Sequence, residues 1–207
     1  MKHSEAMLLA CLVATATLAG CRVNVNKGAD GQEKTVQVDT PFGGMHVNTN
    51  QLTASDVGLP AYPGATIVND DENNKSADVH MGFGQWQLRV RVISYTTTDS
   101  ADKVMAFYKK ALGRYGDVIT CKNKTPVGTP IVTSEGLTCA DDGSNEHTQG
   151  VTTQGTFSTD KGLQLEAGSK HHQHVVAIQD AQNGKTQFGL IELQLPTSAS
   201  GSSGPSD

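Results

Sequence analysis

The chain has 207 residues with 16 Lys and Arg against 21 Asp and Glu, a formal charge of -5, and only 5% aromatic residues beside 22 glycines. An acidic chain without a basic stripe excludes an electrostatic footprint for nucleic acid, and the one local basic cluster, Lys109, Lys110 and Arg114, reads as the solvated face of a helix. Sparse aromatics and frequent glycine predict one modest core of Val, Ile and Leu with many turns.

Met1, Lys2 and His3 form a short basic start, and Ala6 to Ala19 an apolar run broken only by Thr15 and Thr17. Its fourteen residues fall short of the about 20 that span a bilayer and suit a cleaved secretory signal over residues 1–20. Removing that segment takes one base, Lys2, and one acid, Glu5, so the charge stays at -5.

The end of the run, Leu18-Ala19-Gly20-Cys21, resembles the lipobox of bacterial lipoproteins. The resemblance implies diacylglycerol on the Cys21 thiol, cleavage in front of it and acylation of the new amino terminus. Small Ala19 and Gly20 suit an extended substrate, and a thiol is the nucleophile that takes the lipid. An ordinary signal followed by a chance cysteine is the competing reading. Two or three acyl chains, each buried methylene adding about 0.8 kcal/mol, make an anchor that does not span the membrane. Arg22 follows Cys21 where an Asp would signal inner-membrane retention, so the expected location is the cell envelope, on the outer rather than the inner membrane.

Export implies an oxidising compartment. With Cys11 removed and Cys21 acylated, Cys121 and Cys139 remain and are expected to form a disulfide, worth about 3 kcal/mol by loop-closure entropy. A redox or metal pair is the alternative, against which their spacing is far from C-x-x-C.

Residues 21–34, polar and holding Gly28, Asp30 and Gly31, read as a lipidated tether. Over 35–51, two alternating segments flank Pro41-Phe42-Gly43-Gly44, predicting a small β-hairpin. Residues 52–196 are expected to form a single domain, and 197–207, of Ser, Gly, Ala, Pro and Asp, a disordered tail. Within the domain, Leu59-Pro60-Ala61-Tyr62-Pro63 leads into a short strand at Thr66 to Asn69. Ala77 to Gly82 and Gln85 to Thr97 follow as strands, the second with Trp86, Leu88, Val90 and Val92 on one face and Gln87, Arg89 and Arg91 on the other.

Asp99 or Ser100 is placed to cap a helix whose stripe is Val104, Phe107, Tyr108, Ala111, Leu112 and Tyr115, ending at Gly113 and Gly116. A ligand box made by Tyr108 and Tyr115 competes with plain core packing. Val118 to Lys122 and Leu137 to Ala140 read as neighbouring strands, Leu163 to Glu166 as another, and His174 to Asp180 with Gln187 to Leu195 as a hairpin closed by Asn183-Gly184. The fold class expected is α+β, a mainly antiparallel sheet with one amphipathic helix packed on it; a β-sandwich carrying a single helix is the alternative. The lipobox, Tyr62-Pro63-Gly64-Ala65 and Val104-Met105-Ala106-Phe107-Tyr108 together resemble a group of bacterial lipoproteins of unassigned function, a likeness that implies fold and no activity.

No G-x-S-x-G, H-E-x-x-H, P-loop or G-x-G-x-x-G occurs, which weighs against an enzyme. The one dense grouping is His171-His172-Gln173-His174. On a strand His172 and His174 share a face and offer two imidazoles to Zn, Cu or Ni, with His147, His80 or His46 as a third ligand if the fold brings one near. A polar strand end in solvent is the opposing reading. Asp70-Asp71-Glu72 and Asp141-Asp142 with Asn145 and Glu146 lack EF-hand spacing and read as loop charge. Arg89 and Arg91 either receive an anion or meet carboxylates on adjacent strands. The expected function is a non-catalytic envelope lipoprotein without a cofactor, anchored to the membrane through Cys21 and binding a protein, glycan or lipid partner; a metal-binding lipoprotein using the histidine cluster and a hydrolase of unrecognised type are the alternatives.

Overall fold

The computed structural model describes residues 21–27, 33–49, 52–70, 73–74, 76–140, 162–182 and 184–196. The signal segment, His147, the Asp141 to Glu146 cluster, Asp71, Glu72 and the 197–207 tail lie outside them.

In chain order the strands are β1 (Arg22–Lys27), β2 (Glu33–Thr40), β3 (Gly43–Asn48), β4 (Thr66–Ile67), β5 (Asn69–Asp70), β6 (Asn73–Asn74), β7 (Ser76–Phe83) and β8 (Trp86–Thr97). After helix α1 (Ala101–Leu112) come β9 (Ile119–Lys122), β10 (Thr125–Pro126), β11 (Leu163–Ser169), β12 (His172–Gln182) and β13 (Lys185–Gln194). All pairings are antiparallel, in the order β1-β2-β3-β7-β8-β13-β12-β11-β9-β10, with β4 on the far end of β8 and β5 with β6 as a separate ribbon. The protein is α+β: one antiparallel sheet with one helix packed on it among the described residues.

The helix covers one side of the sheet. Val104, Tyr108 and Leu112 are buried there against Ile93 and Tyr95 of β8, Phe188 and Leu190 of β13, Val176 and Ile178 of β12, and Leu165 and Ala167 of β11. Phe188 is the hub of this core, its ring 5.6 Å from those of Tyr95 and Tyr108 and 5.9 Å from that of Tyr62. Ser100 occupies the N-cap position, while Asp99 takes hydrogen bonds from Lys103 at 2.9 Å and the Tyr62 hydroxyl at 2.9 Å. The helix therefore lies on the side of β8 that continues from Arg89 and Arg91 into Ile93 and Tyr95, because a strand's alternation carries one parity along one face.

The opposite side is an apolar stripe set by register. Val23, Val38, Met45, Met81 and Leu88 stand opposite one another across five strands, and Val25, Val36, Val47, Val79, Val90 and Leu193 across six. Its continuation on β9 holds Ile119 and Cys121, buried with Leu137 and Cys139.

Two expectations are corrected. Residues 22–27 are not a tether but strand β1, since Val23 and Val25 alternate with Asn24 and Asn26 and pair with β2. The expected 35–51 hairpin forms as β2 and β3, and β3 pairs with β7, which joins it to the main sheet. Leu137 to Ala140 is not a strand; it is a turn region whose Leu137 N–H donates to Thr133 Oγ1 at 3.0 Å, and the Cys121–Cys139 disulfide ties that loop to β9, whose strand neighbours are β10 and β11.

Candidate metal centre

Beyond the helix, the same side of the sheet turns polar. Register sets His174, Glu192, Arg91 and Asp78 opposite one another on β12, β13, β8 and β7, and His172, Gln194, Arg89 and His80 in the next rank. Opposite residues on antiparallel strands share a face and bring their Cβ atoms within about 4.5–5.5 Å. His172 and His174 therefore converge with Glu192, as one ligand atom from each lies within 4.8 Å of the others. Ligand atoms around a zinc ion with bonds of about 2.0–2.2 Å stand somewhat closer than this, and the His172 side chain, half-exposed, is the least enclosed of the three.

His174 is buried, and its Nδ1 lies 3.1 Å from the Val57 carbonyl oxygen. A carbonyl only accepts, so Nδ1 carries the proton and Nε2 keeps its lone pair, the tautomer that a metal-binding imidazole needs. Burial, and then the neighbouring His172, push its pKa below the ordinary value, so it stays neutral. Burial raises the Glu192 carboxyl, but hydrogen bonds from His172, Arg91 and Gln194 outweigh it and hold the group below the usual carboxylate range. Arg91 Nη1 donates to Glu192 Oε2 at 2.8 Å, while Oε1 meets His172 Nε2 at 2.9 Å and receives the Gln194 amide at 3.0 Å.

A short 3-10 turn, Ala54–Val57, closes the site from above. Three consecutive carbonyls at its end each take a donor from the site wall: Asp56 from Arg91 at 3.0 Å, Val57 from His174, and Gly58 from the Tyr115 hydroxyl at 2.5 Å and from Arg114. Gly58 has φ 74°, and a Cβ there would sit 2.6 Å from the Tyr115 hydroxyl and 3.1 Å from His174 Cε1, so only glycine permits the turn to approach this closely. The sequence signal was Thr53-Ala54-Ser55-Asp56 before Gly58: Asp56 Oδ2 accepts from the Thr53 N–H at 2.8 Å, the reach-back of a capping box.

Of the proposed third ligands, His80 stands three strands from His172 in the same rank, about 14 Å at a spacing of 4.7–4.9 Å, and His46 one strand further, so neither joins the pair. His171 is exposed in the turn before β12. Glu192, which sequence reading passed over, takes that place. Arg89 and Arg91 hold Asp78 at 2.7 Å and 3.4 Å, so they meet carboxylates of adjacent strands. Tyr108 is core, its hydroxyl on the Pro60 carbonyl at 3.1 Å, whereas Tyr115 stacks on His174. Among the described residues the side-chain hydrogen bonds of His172 and His174 reach a carboxylate and a carbonyl, and neither reaches a hydroxyl or thiol nucleophile.

Comparison with family models, with curated proteins and with solved structures found no match. The geometry alone defines the class: an antiparallel α+β domain with a two-histidine, one-carboxylate cluster on its helix-bearing side. No helix among the described residues is long and apolar enough to cross a membrane.

Proposed function

We propose that the chain is an exported envelope lipoprotein, acylated on Cys21, whose domain is a non-catalytic binding module that holds a transition metal ion through His172, His174 and Glu192. The observation that carries the metal reading is the convergence of three ligand atoms within 4.8 Å, one of them on an imidazole whose tautomer is set by a backbone carbonyl. Two imidazoles and a carboxylate suit Zn, Ni or Cu, with a position left open for water or an exogenous ligand. The lipobox and Arg22 after it support an anchor on the outer membrane.

The test is metal analysis of the mature protein after incubation with zinc and buffer exchange, beside the His172→Ala, His174→Ala double variant. About one equivalent in the wild type and none in the variant is the expected result. Equal, negligible metal in both, with the variant folded, overturns the metal reading and leaves the His172–Glu192 contact as an ion pair of the sheet.

A further inference from the structure

Strand register places the proposed anchor beside an exposed aromatic cluster. β1 begins at Arg22, the residue after Cys21, and Arg22 stands opposite Asp39 of β2. Thr40 of β2 then faces Gly43 of β3, Gly43 faces Phe83 of β7, and Phe83 faces Trp86 of β8. The start of β1, the β2–β3 turn and the β7–β8 turn thus form one end of the sheet. Phe42 is 86% exposed there, Phe83 50% and Trp86 36%, with Val23 at 63% on the adjoining strand.

Phe83 and Trp86 project from the apolar side of the sheet, with rings 5.8 Å apart, and alternation along β1 puts Cys21 on the same side as Val23. Gly43 makes the cluster compact, since a Cβ there would run into the Gly82 carbonyl and the Phe83 ring.

From this juxtaposition we infer that the Cys21 end of the sheet, with Phe42, Phe83 and Trp86, is seated in the bilayer interface. The inference rests on the acylation of Cys21 proposed above and goes beyond it, because an anchor alone allows a domain to hang free on a linker. Here there is no linker. One residue adds at most about 3.6 Å of reach, so lipid chains on Cys21 hold the first strand at the depth of the headgroups. That is where Trp and Phe side chains are placed favourably, an apolar ring meeting acyl chain and a polar indole N–H meeting headgroup. The apolar stripe behind them then continues away from the membrane along β2, β3 and β7.

Trp86 is the only tryptophan of the chain and reports the contact by itself. The mature acylated protein is reconstituted in phosphatidylethanolamine and phosphatidylglycerol vesicles, with acyl chains brominated near the glycerol in one set, and acylation is verified by intact mass. The expected result is loss of most Trp86 emission in the brominated vesicles, a blue-shifted maximum and protection from acrylamide. A Phe42→Ser, Phe83→Ser variant, altered only at exposed tips, is expected to keep its lipid and lose much of that quenching. Trp86 emission that is unquenched by bromolipid and open to acrylamide in fully acylated protein overturns the seating while the anchor stands. A mass showing no acyl chains on Cys21 overturns both.

Discussion

His174 stacks on Tyr115 with ring centroids 3.7 Å apart, and the two side chains donate to neighbouring carbonyls, Val57 and Gly58, of the same turn. The stack locks the imidazole plane, and the turn locks its tautomer. Gly58 is what allows both, so Gly58→Ala is expected to displace the turn and cost about 1–3 kcal/mol through a non-glycine residue at positive φ. Urea unfolding measures the loss, and zinc affinity is expected to fall in the same variant.

Phe188 joins Tyr62, Tyr95 and Tyr108 under the helix and is fully buried. Phe188→Ala is expected to cost about 3–5 kcal/mol, read as a lower urea midpoint at unchanged slope.

Cys121 and Cys139 close a loop with a sequence separation of 18 and fix Leu137 against Ile119. The Cys121→Ser, Cys139→Ser variant is expected to lose about 3 kcal/mol, and reductant is expected to lower the wild type to the same level without further effect on the variant.

Asp78 carries the pH dependence away from the metal ligands. Burial raises its pKa, but hydrogen bonds and charge from Arg89 and Arg91 prevail and set it below the ordinary carboxylate value. The folded state therefore binds its proton less readily than the unfolded chain. The stabilisation is complete above the unfolded value near 3.8 and is lost as pH falls through the lower folded value. Asp78→Asn is expected to flatten the acid limb of stability against pH and to cost about 1–3 kcal/mol at neutral pH, measured by denaturation across an acid series.

Much of this architecture is legible in the sequence, because period-two strands and the helix stripe are local signals. The misreadings arise where local signals compete. In Arg22 to Lys27 the Val-Asn alternation was a strand, outweighed by the glycines that follow it. At Leu137 to Cys139 the same alternation comes from a loop pinned by its disulfide. Glu192 was hidden for a different reason. Counting back from a two-residue turn pairs Gln182 with Lys185 and would set His174 against Leu193, on the wrong face. A bulge between Gln179 and Gln182 shifts the register by one residue, so His174 meets Glu192. A single extra residue decides whether the histidines face a leucine or a ligand, and nothing in the local sequence announces it.

The central claim is that Glu192 completes a metal site with His172 and His174, and calorimetric titration of the metal-free protein with zinc, beside Glu192→Gln, tests it most directly. The substitution keeps the side chain's size and removes the anionic ligand. One site in the wild type, with affinity reduced about tenfold or more in the variant, is the predicted result. Absent binding in the wild type, or equal affinity in both proteins, would contradict it.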